Sequence, residues 1–450
     1  MTNSYTLTAA FNLKPRGELI AMVGGGGKTS LMFALADVLS GRRIVSTTTR
    51  IFAAQMKLVQ EVVVFTAEGA ENAEEKIGAA LDRRGVCLVV GAVEGEKALG
   101  VPPELAGQWL ARPDVDFILI EADGSRMRPI KAPAAHEPVI PPAATLVVPV
   151  VGIDALDGRF PEVTHRPEVA AKLLQWSVFS DQLSVEDVAR LIAHANGGLK
   201  NVPEGARVVP FINKVETAVQ LNAARQIGQQ MLQEPRIERV VIGAVKTSEP
   251  VREVHTRVTA VILAAGQAER MGQTKQLLPW GDTTVLGQTI RNLKQTAVHN
   301  ICVVSGHEAA KIEAIAAAEQ VTCLHNPEFA AGEMVSSLQT AVRQLPSNMT
   351  AVLVILADQP MVQPAIINQI LAAYWQGKGD LIAPVCEGQR GNPVLIGRAY
   401  FEELLTLSAK DAPRTLLRRH PDKLHLLPVT SNAILRDLDS PEQYEQERPS

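Results

Sequence analysis

The chain has 450 residues, of which 46% are hydrophobic and 20% charged, and its formal net charge is -4 at pH 7. At roughly 150 residues per domain, this length and composition predict a globular protein of two or three domains. A slightly acidic chain argues against nucleic acid as substrate, which needs clustered Lys and Arg, and no apolar run approaches the ~20 residues that span a bilayer.

The four cysteines, Cys87, Cys302, Cys323 and Cys386, are far apart and form no CxxC pair. Neither a disulfide framework nor a zinc site is expected. The polar N-terminal stretch lacks the apolar core of a signal peptide, so the expected location is cytoplasmic.

In chain order, apolar β-branched runs alternate with helical patterns, which predicts an α/β fold with parallel sheets built from βαβ units. The first half places strands at 18–23, 43–46, 61–65, 86–90, 116–122, 145–151, 207–212 and 238–244. Helices are expected over 28–40, 70–82, 168–177, 184–195 and 216–233. The first strand leads into Gly24, Gly25, Gly26 and Gly27, then Lys28, Thr29 and an amphipathic helix. This order predicts a P-loop-like site, with backbone N–H groups, Lys28 and the helix N-terminus around a phosphate and Thr29 at a metal. The spacing departs from GxxxxGK[ST], whose first glycine would fall on Met22.

The strand at 116–122 ends near Glu121 and Asp123, placed to meet a metal or water beside the loop. After the strand at 207–212 come Asn213, Lys214 and Glu216. This Asn-Lys-x-acid string resembles the guanine-reading element of GTP-binding proteins. Glu216 in place of Asp leaves ATP and GTP both open, and a plain helix start is the competing reading. Thr47–Arg50, His136 and His165 are further polar candidates; a lone histidine is more often packed or solvated.

Residues 246–257 are polar and carry a proline before a new apolar strand begins at Val258. The expected boundary therefore gives a domain over 1–250, a linker over 251–257 and a second domain over 258–450. The second domain predicts strands near 258–263, 300–304, 351–356 and 380–385, with helices near 284–297, 308–318, 333–344 and 362–375.

The densest motif spans 263–286, with Leu263, Ala264, Ala265, Gly266, Arg270, Gly272 and Lys275 after a buried strand. Gly266 and Gly272 let backbone N–H groups approach phosphate oxygens. Arg270 and Lys275 offset negative charge and stabilise departing pyrophosphate when an α-phosphorus is attacked. Asp358 follows the apolar run 351–357 directly, at the strand end where ligands of open α/β sheets collect, and a carboxylate there can hold Mg²⁺. Asp437 and Asp439, two residues apart, face the same way on an extended stretch and are candidates to complete the metal site. Asp439-Ser440-Pro441 also has the form of a helix start.

These motifs, with LADQP (356–360), RGNPVLI (390–396) and the DxDxPE ending, resemble the MocA-like molybdenum cofactor cytidylyltransferase family over almost all of 258–445. The resemblance implies a Rossmann-like nucleotidyltransferase domain that joins CTP to the terminal phosphate of molybdopterin and releases pyrophosphate. It implies that Gly266, Arg270 and Lys275 contact CTP, that Asp358 holds Mg²⁺ and that Asp437 or Asp439 assists. Ala264-Ala265-Gly266, where related guanylyltransferases tend to show LAGG, favours the smaller pyrimidine. Two segments depart from the family: Gly391-Asn392-Pro393-Val394 stands for GHPV, and 409–414 keeps Asp411 and Arg414 of GDxGAR without its glycines. Transfer to another phosphorylated acceptor therefore stays open, as does a carrier that delivers finished cofactor to an apo molybdenum hydroxylase.

The first half resembles the YqeC-like family, accessory proteins of selenium-dependent molybdenum hydroxylases, over most of 12–250. The strings that carry it are GGGGKTS, TTTR, EADGSRMRPIKAPAAHEPVIP, HRPE and NKVE. Both resemblances imply maturation of a molybdenum hydroxylase cofactor, with the apo-enzyme as partner.

Overall fold

Apolar runs that are continuous rather than alternating make strands buried on both faces. Such strands form the centre of two sheets, one in each of the two compact units into which the chain divides, Ser4–His255 and Thr256–Ser450. The computed structural model describes residues 5–52, 56, 59–66, 70–176, 181–266, 274–330, 334–408 and 413–449.

In the first unit the main sheet runs, edge to edge, Val251–His255, Val240–Gly243, Phe211–Asn213, Leu146–Gly152, Glu18–Gly24, Phe117–Glu121, Arg43–Thr47, Val86–Val90 and Val62–Val64. Arg207–Val208 adds a short parallel pairing to Leu146–Gly152. All pairs are parallel except the antiparallel edge strand Val251–His255. Alternate residues of one strand feed opposite cores. Ile20 and Met22 pack with Leu31, Leu35 and Phe211, while Leu19, Ala21 and Val23 pack with Ile77, Leu81 and Trp109. Each of the larger of these side chains contributes about 1.5–3 kcal/mol on burial, so the central strand is held from both sides.

The stretch expected to be a linker is instead sheet. Val251–His255 pairs with Val240–Gly243, and Arg257 opens the Arg257–Leu263 strand of the second unit. The polar letters hid it. Val251 and Val254 are 4% and 2% exposed, while Glu253 and His255 are buried as a hydrogen-bonded pair at 2.8 Å. Arg225 completes the pairing, its Nε 3.0 Å from Glu253 Oε2.

In the second unit the sheet runs Thr322–His325, Asn300–Ser305, Arg257–Leu263, Met349–Leu356, Val394–Gly397, Leu381–Cys386 and Gln389–Arg390, with Leu424–Pro428 also paired to Leu381–Cys386. The first four strands are parallel; Val394–Gly397 is antiparallel to both its neighbours. This sheet is thus mixed, and four of its strands, at 322–325, 389–390, 394–397 and 424–428, go beyond the sequence expectation. Val258, Ala260 and Ile262 face one core with Leu286, Ile290 and Ile370. Val261 and Leu263 face the other with Leu338, Leu381 and Leu404. Among the described residues no helix is long and apolar enough to cross a membrane.

Candidate functional site

Each unit gathers its chemistry at the carboxyl edge of its sheet. In the second unit Leu263 lies in register with Val304 and Leu356. The chain leaving these three strands therefore emerges at one place. Ala264 and Ala265 are buried there, and the N–H of Ala264 donates to Val304 O at 3.0 Å. Gly306 has no room for a side chain, since a Cβ would fall 2.7 Å from that of Ala265 and 2.6 Å from that of Phe329. Gly266 is different: among the described residues a Cβ there meets nothing within 4 Å. Arg270, Gly272 and Asp411 lie outside the described residues.

Lys275 opens the short turn Lys275–Leu277 and reaches across to two carboxylates. Its Nζ donates to Asp439 Oδ1 at 2.5 Å and to Asp358 Oδ2 at 3.4 Å. Asp437 stands beside them, its Oδ1 accepting from Gln359 Nε2 at 2.6 Å. Main chain fixes the two segments together, for Leu438 N donates to Asp358 O at 3.3 Å. Gly391 closes the back: a Cβ would fall 2.2 Å from Ile434 O, and Asn392 N donates to that same carbonyl at 3.0 Å. Arg414 lies in the Pro413–Arg419 helix and is exposed.

Two carboxylates share one ammonium here with a third alongside, and the ionisation of Asp358 and Asp437 reflects this crowding. Burial pushes Asp358 up, against the pull of Lys275, and Asp439 adds repulsion. Asp437 is pushed up by burial and then by Asp358. Lys275 is desolvated, yet the Asp439 and Asp358 contacts outweigh this and raise it. The charged form of Lys275 is thus favoured, while burial first and the neighbouring acids second oppose ionisation of Asp358 and Asp437. Among the described residues no three acidic, His or Cys groups are already gathered around a metal position. Hard carboxylate oxygens short of countercharge are nonetheless a donor set that fits Mg²⁺. Asp439 also precedes Ser440, which caps the Pro441–Glu447 helix through a reciprocal pairing with Gln443, so the helix-start reading of that segment holds.

In the first unit the glycine loop joins the Glu18–Gly24 strand to the Lys28–Val38 helix, which no side chain caps. Its four glycines are needed for close approach. A Cβ on Gly24, Gly25, Gly26 or Gly27 would fall 2.5, 2.5, 2.1 or 2.4 Å from Val150 O, Arg128 O, Gly152 N or Asn213 Nδ2. The loop amides differ from the expected phosphate cradle. Gly24 N donates to both oxygens of Asp123 at 3.1 Å, Gly25 N to Val150 O at 2.9 Å and Gly26 N to Arg128 O at 3.1 Å. At the start of the helix Gly27, Thr29 and Ser30 are partly exposed, while Lys28 is buried.

Lys28 is folded back, donating to Gly24 O at 2.6 Å and pairing with Asp123 at 3.2 Å. Thr29 Oγ1 donates to Glu121 Oε2 at 2.7 Å. Lys131, absent from the sequence-based candidates, meets Asp123 at 3.1 Å and Glu137 at 2.8 Å, and Arg166 pairs with Glu137 too. Burial opposes ionisation of Glu137, but Lys131 and Arg166 outweigh it and hold its carboxyl at about 2. His165 is pushed down to about 4 by burial and then by Arg166 and Lys131, so it is a neutral member of this cluster. His136 is exposed. Thr47 and Thr48 bond to the carbonyls of Glu121 and Val139.

Asn213 joins the loop: its Nδ2 donates to Gly26 O at 2.8 Å and its Oδ1 accepts from Val245 N at 3.0 Å. Lys214 instead pairs with Asp154 at 2.6 Å. Glu216 is exposed on the turn before the Ala218–Met231 helix, and its carbonyl accepts from Arg252. Of the Asn-Lys-x-acid string, only Asn213 touches the glycine loop in these contacts.

The family model for YqeC protein matches residues 20–168, and that for the MobA-like NTP transferase domain matches residues 260–424. The chain is 35% identical over 243 residues to YqeC of Escherichia coli, which covers 51% of this chain and 89% of that protein. It is 27% identical over 189 residues to the molybdenum cofactor cytidylyltransferase of the same organism, covering 42% and 93% of the two chains. A nicotine blue oxidoreductase from Paenarthrobacter nicotinovorans is 26% identical over 194 residues, covering 41% and 94%. With its first half matched so fully and its second half placing a lysine among three aspartates at the sheet edge, the chain belongs to the YqeC family and carries a MobA-like nucleotidyltransferase domain at its C-terminal end.

Proposed function

We propose that the second unit transfers the cytidylyl group of CTP to the terminal phosphate of molybdopterin, with release of pyrophosphate. The observation that carries this reading is the ammonium of Lys275 held between Asp358 and Asp439, with Asp437 alongside. An Mg²⁺ held by Asp358 with Asp437 or Asp439 would neutralise phosphate charge as the α-phosphorus is attacked. Lys275 then has a phosphate to meet, and its ammonium stabilises the charge that builds on the departing pyrophosphate. Arg270 belongs to the same stretch and serves the same charge. Ala264 and Ala265, buried against the strand ends, favour a pyrimidine over a purine. The likeness to a protein named molybdenum cofactor cytidylyltransferase supports both base and acceptor.

The first unit, in this reading, binds ATP or GTP at the uncapped start of the Lys28–Val38 helix. Lys28 and Thr29 serve the phosphates and their metal, with Asp123 and Glu121 behind them. Its role is the maturation of a cytoplasmic molybdenum hydroxylase, with the apo-enzyme as recipient of the finished dinucleotide. The transfer reading is tested by pyrophosphate release from the full chain with Mg²⁺ and molybdopterin, comparing CTP, GTP and ATP. Release with CTP alone is expected. Release with no nucleotide would leave delivery of preformed cofactor as the better account.

A further inference from the structure

We propose that Gln359 is a positioning residue that aligns Asp437 for the divalent cation of the transfer reaction. The inference rests on the metal reading of Asp358, Asp437 and Asp439 given above. Gln359 is 3% exposed and stands one residue beyond Asp358, on the turn that leaves the Met349–Leu356 strand. Its main-chain carbonyl accepts from Val362 N at 3.2 Å, so the turn that presents Asp358 also sets the direction of the Gln359 side chain. That side chain places Nε2 at 2.6 Å from Asp437 Oδ1 and 3.5 Å from Ile434 O. One buried amide thus ties the strand end to the 434–439 segment, in parallel with the main-chain bond from Leu438 to Asp358.

The chemistry of the donor matters. Among the described residues the cation beside these acids, Lys275, is engaged by Asp358 and Asp439. Among the described residues, Gln359 is the side chain that hydrogen-bonds Asp437. A Lys or Arg at 359 would neutralise Asp437 and oppose a metal. An amide N–H instead fixes one carboxylate oxygen, leaves the net charge intact and leaves the second oxygen for a cation. Groups that orient a metal ligand in this way typically change metal affinity 10–100-fold when removed.

The test is Mn²⁺ binding to the full chain, followed by the loss of the free-ion electron paramagnetic resonance signal, alongside the steady-state kinetics of pyrophosphate release. Gln359→Met is expected to weaken Mn²⁺ binding about tenfold and to raise KM for the metal–CTP complex more than it lowers kcat. Gln359→Asn keeps an amide but shortens the reach, and is expected to behave alike if the Met variant folds poorly. In an Asp437→Ala background neither change should weaken binding further, because a residue acting through Asp437 has nothing left to align. Wild-type Mn²⁺ affinity in both Gln359 variants overturns the proposal, and so does a second, equal loss in the Asp437→Ala background, which marks a merely structural role. If Asp437→Ala itself binds Mn²⁺ as tightly as wild type, the metal reading of Asp437 fails and takes this inference with it.

Discussion

Lys275 has two tasks that compete. While its ammonium bridges Asp439 and Asp358, it is turned toward the carboxylates that a metal would need. Removing it takes from the three acids the ammonium that Asp358 and Asp439 meet among the described residues, and in the proposed reaction also removes the group that meets pyrophosphate. Lys275→Met is therefore expected to lower kcat by about 10²-fold or more, yet to tighten Mn²⁺ binding in the absence of nucleotide. Lys294→Met, which takes the same charge from the Glu319 pair of the same unit, should leave Mn²⁺ affinity near wild type. Equal tightening in both would reduce the effect to net charge. In the first unit, Glu253 shows how a buried acid couples stability to pH. Burial pushes it up, but hydrogen bonds from His255 and Arg225 outweigh this and hold it at about 2. Its folded value lies below the unfolded one of 4.5, so its contribution is complete above that pH and is lost as pH falls toward about 2. The melting temperature of the wild type should accordingly drop more steeply than that of Glu253→Gln from about pH 5 to about pH 3. Lys275, Asp358 and Asp439 were legible in the sequence because each flanks an apolar run or a turn signal. Lys131, Glu137 and Arg166 were not, since the chain of pairs from Asp123 to Lys131, Glu137 and Arg166 depends on how distant segments fold back.

The glycine loop shows what an element can conceal. Its sequence has the form of a phosphate cradle, yet the N–H groups of Gly24, Gly25 and Gly26 all donate to protein oxygens. The glycines are there for close packing first. Gly26→Ala combines a φ of +73° with a Cβ 2.1 Å from Gly152 N, and should destabilise the first unit by at least about 2 kcal/mol, measurable by urea unfolding. At the other end of the chain, Ser440 caps the Pro441–Glu447 helix immediately after Asp439. Ser440→Ala is expected to cost about 1 kcal/mol and to raise KM for metal–CTP as Asp439 loosens; an unchanged KM would separate the cap from the site. Long apolar strands were legible because continuous burial leaves an unmistakable run. Thr322–His325 was not, for it lies at a sheet edge and is half-exposed. Val251–His255 was missed because its polar residues satisfy one another inside the sheet rather than in water.

At the scale of the whole molecule, each unit has its own sheet and its own cores on both faces. Expressed separately, residues 256–450 should therefore unfold cooperatively and retain pyrophosphate release; a C-terminal half that stays unfolded alone would contradict this. That the first half resembles the YqeC family and the second a molybdenum cofactor cytidylyltransferase was legible from motifs alone, because several of those strings sit at strand ends. The short spacers between helices and edge strands carry no such strings. The most direct test of the account is the mass of the product formed by the full chain from molybdopterin, CTP and Mg²⁺. The account predicts an acceptor heavier by one cytidine monophosphate, formed by the wild type and not by Asp358→Asn. An acceptor of unchanged mass, or a product that Asp358→Asn forms equally well, would contradict it.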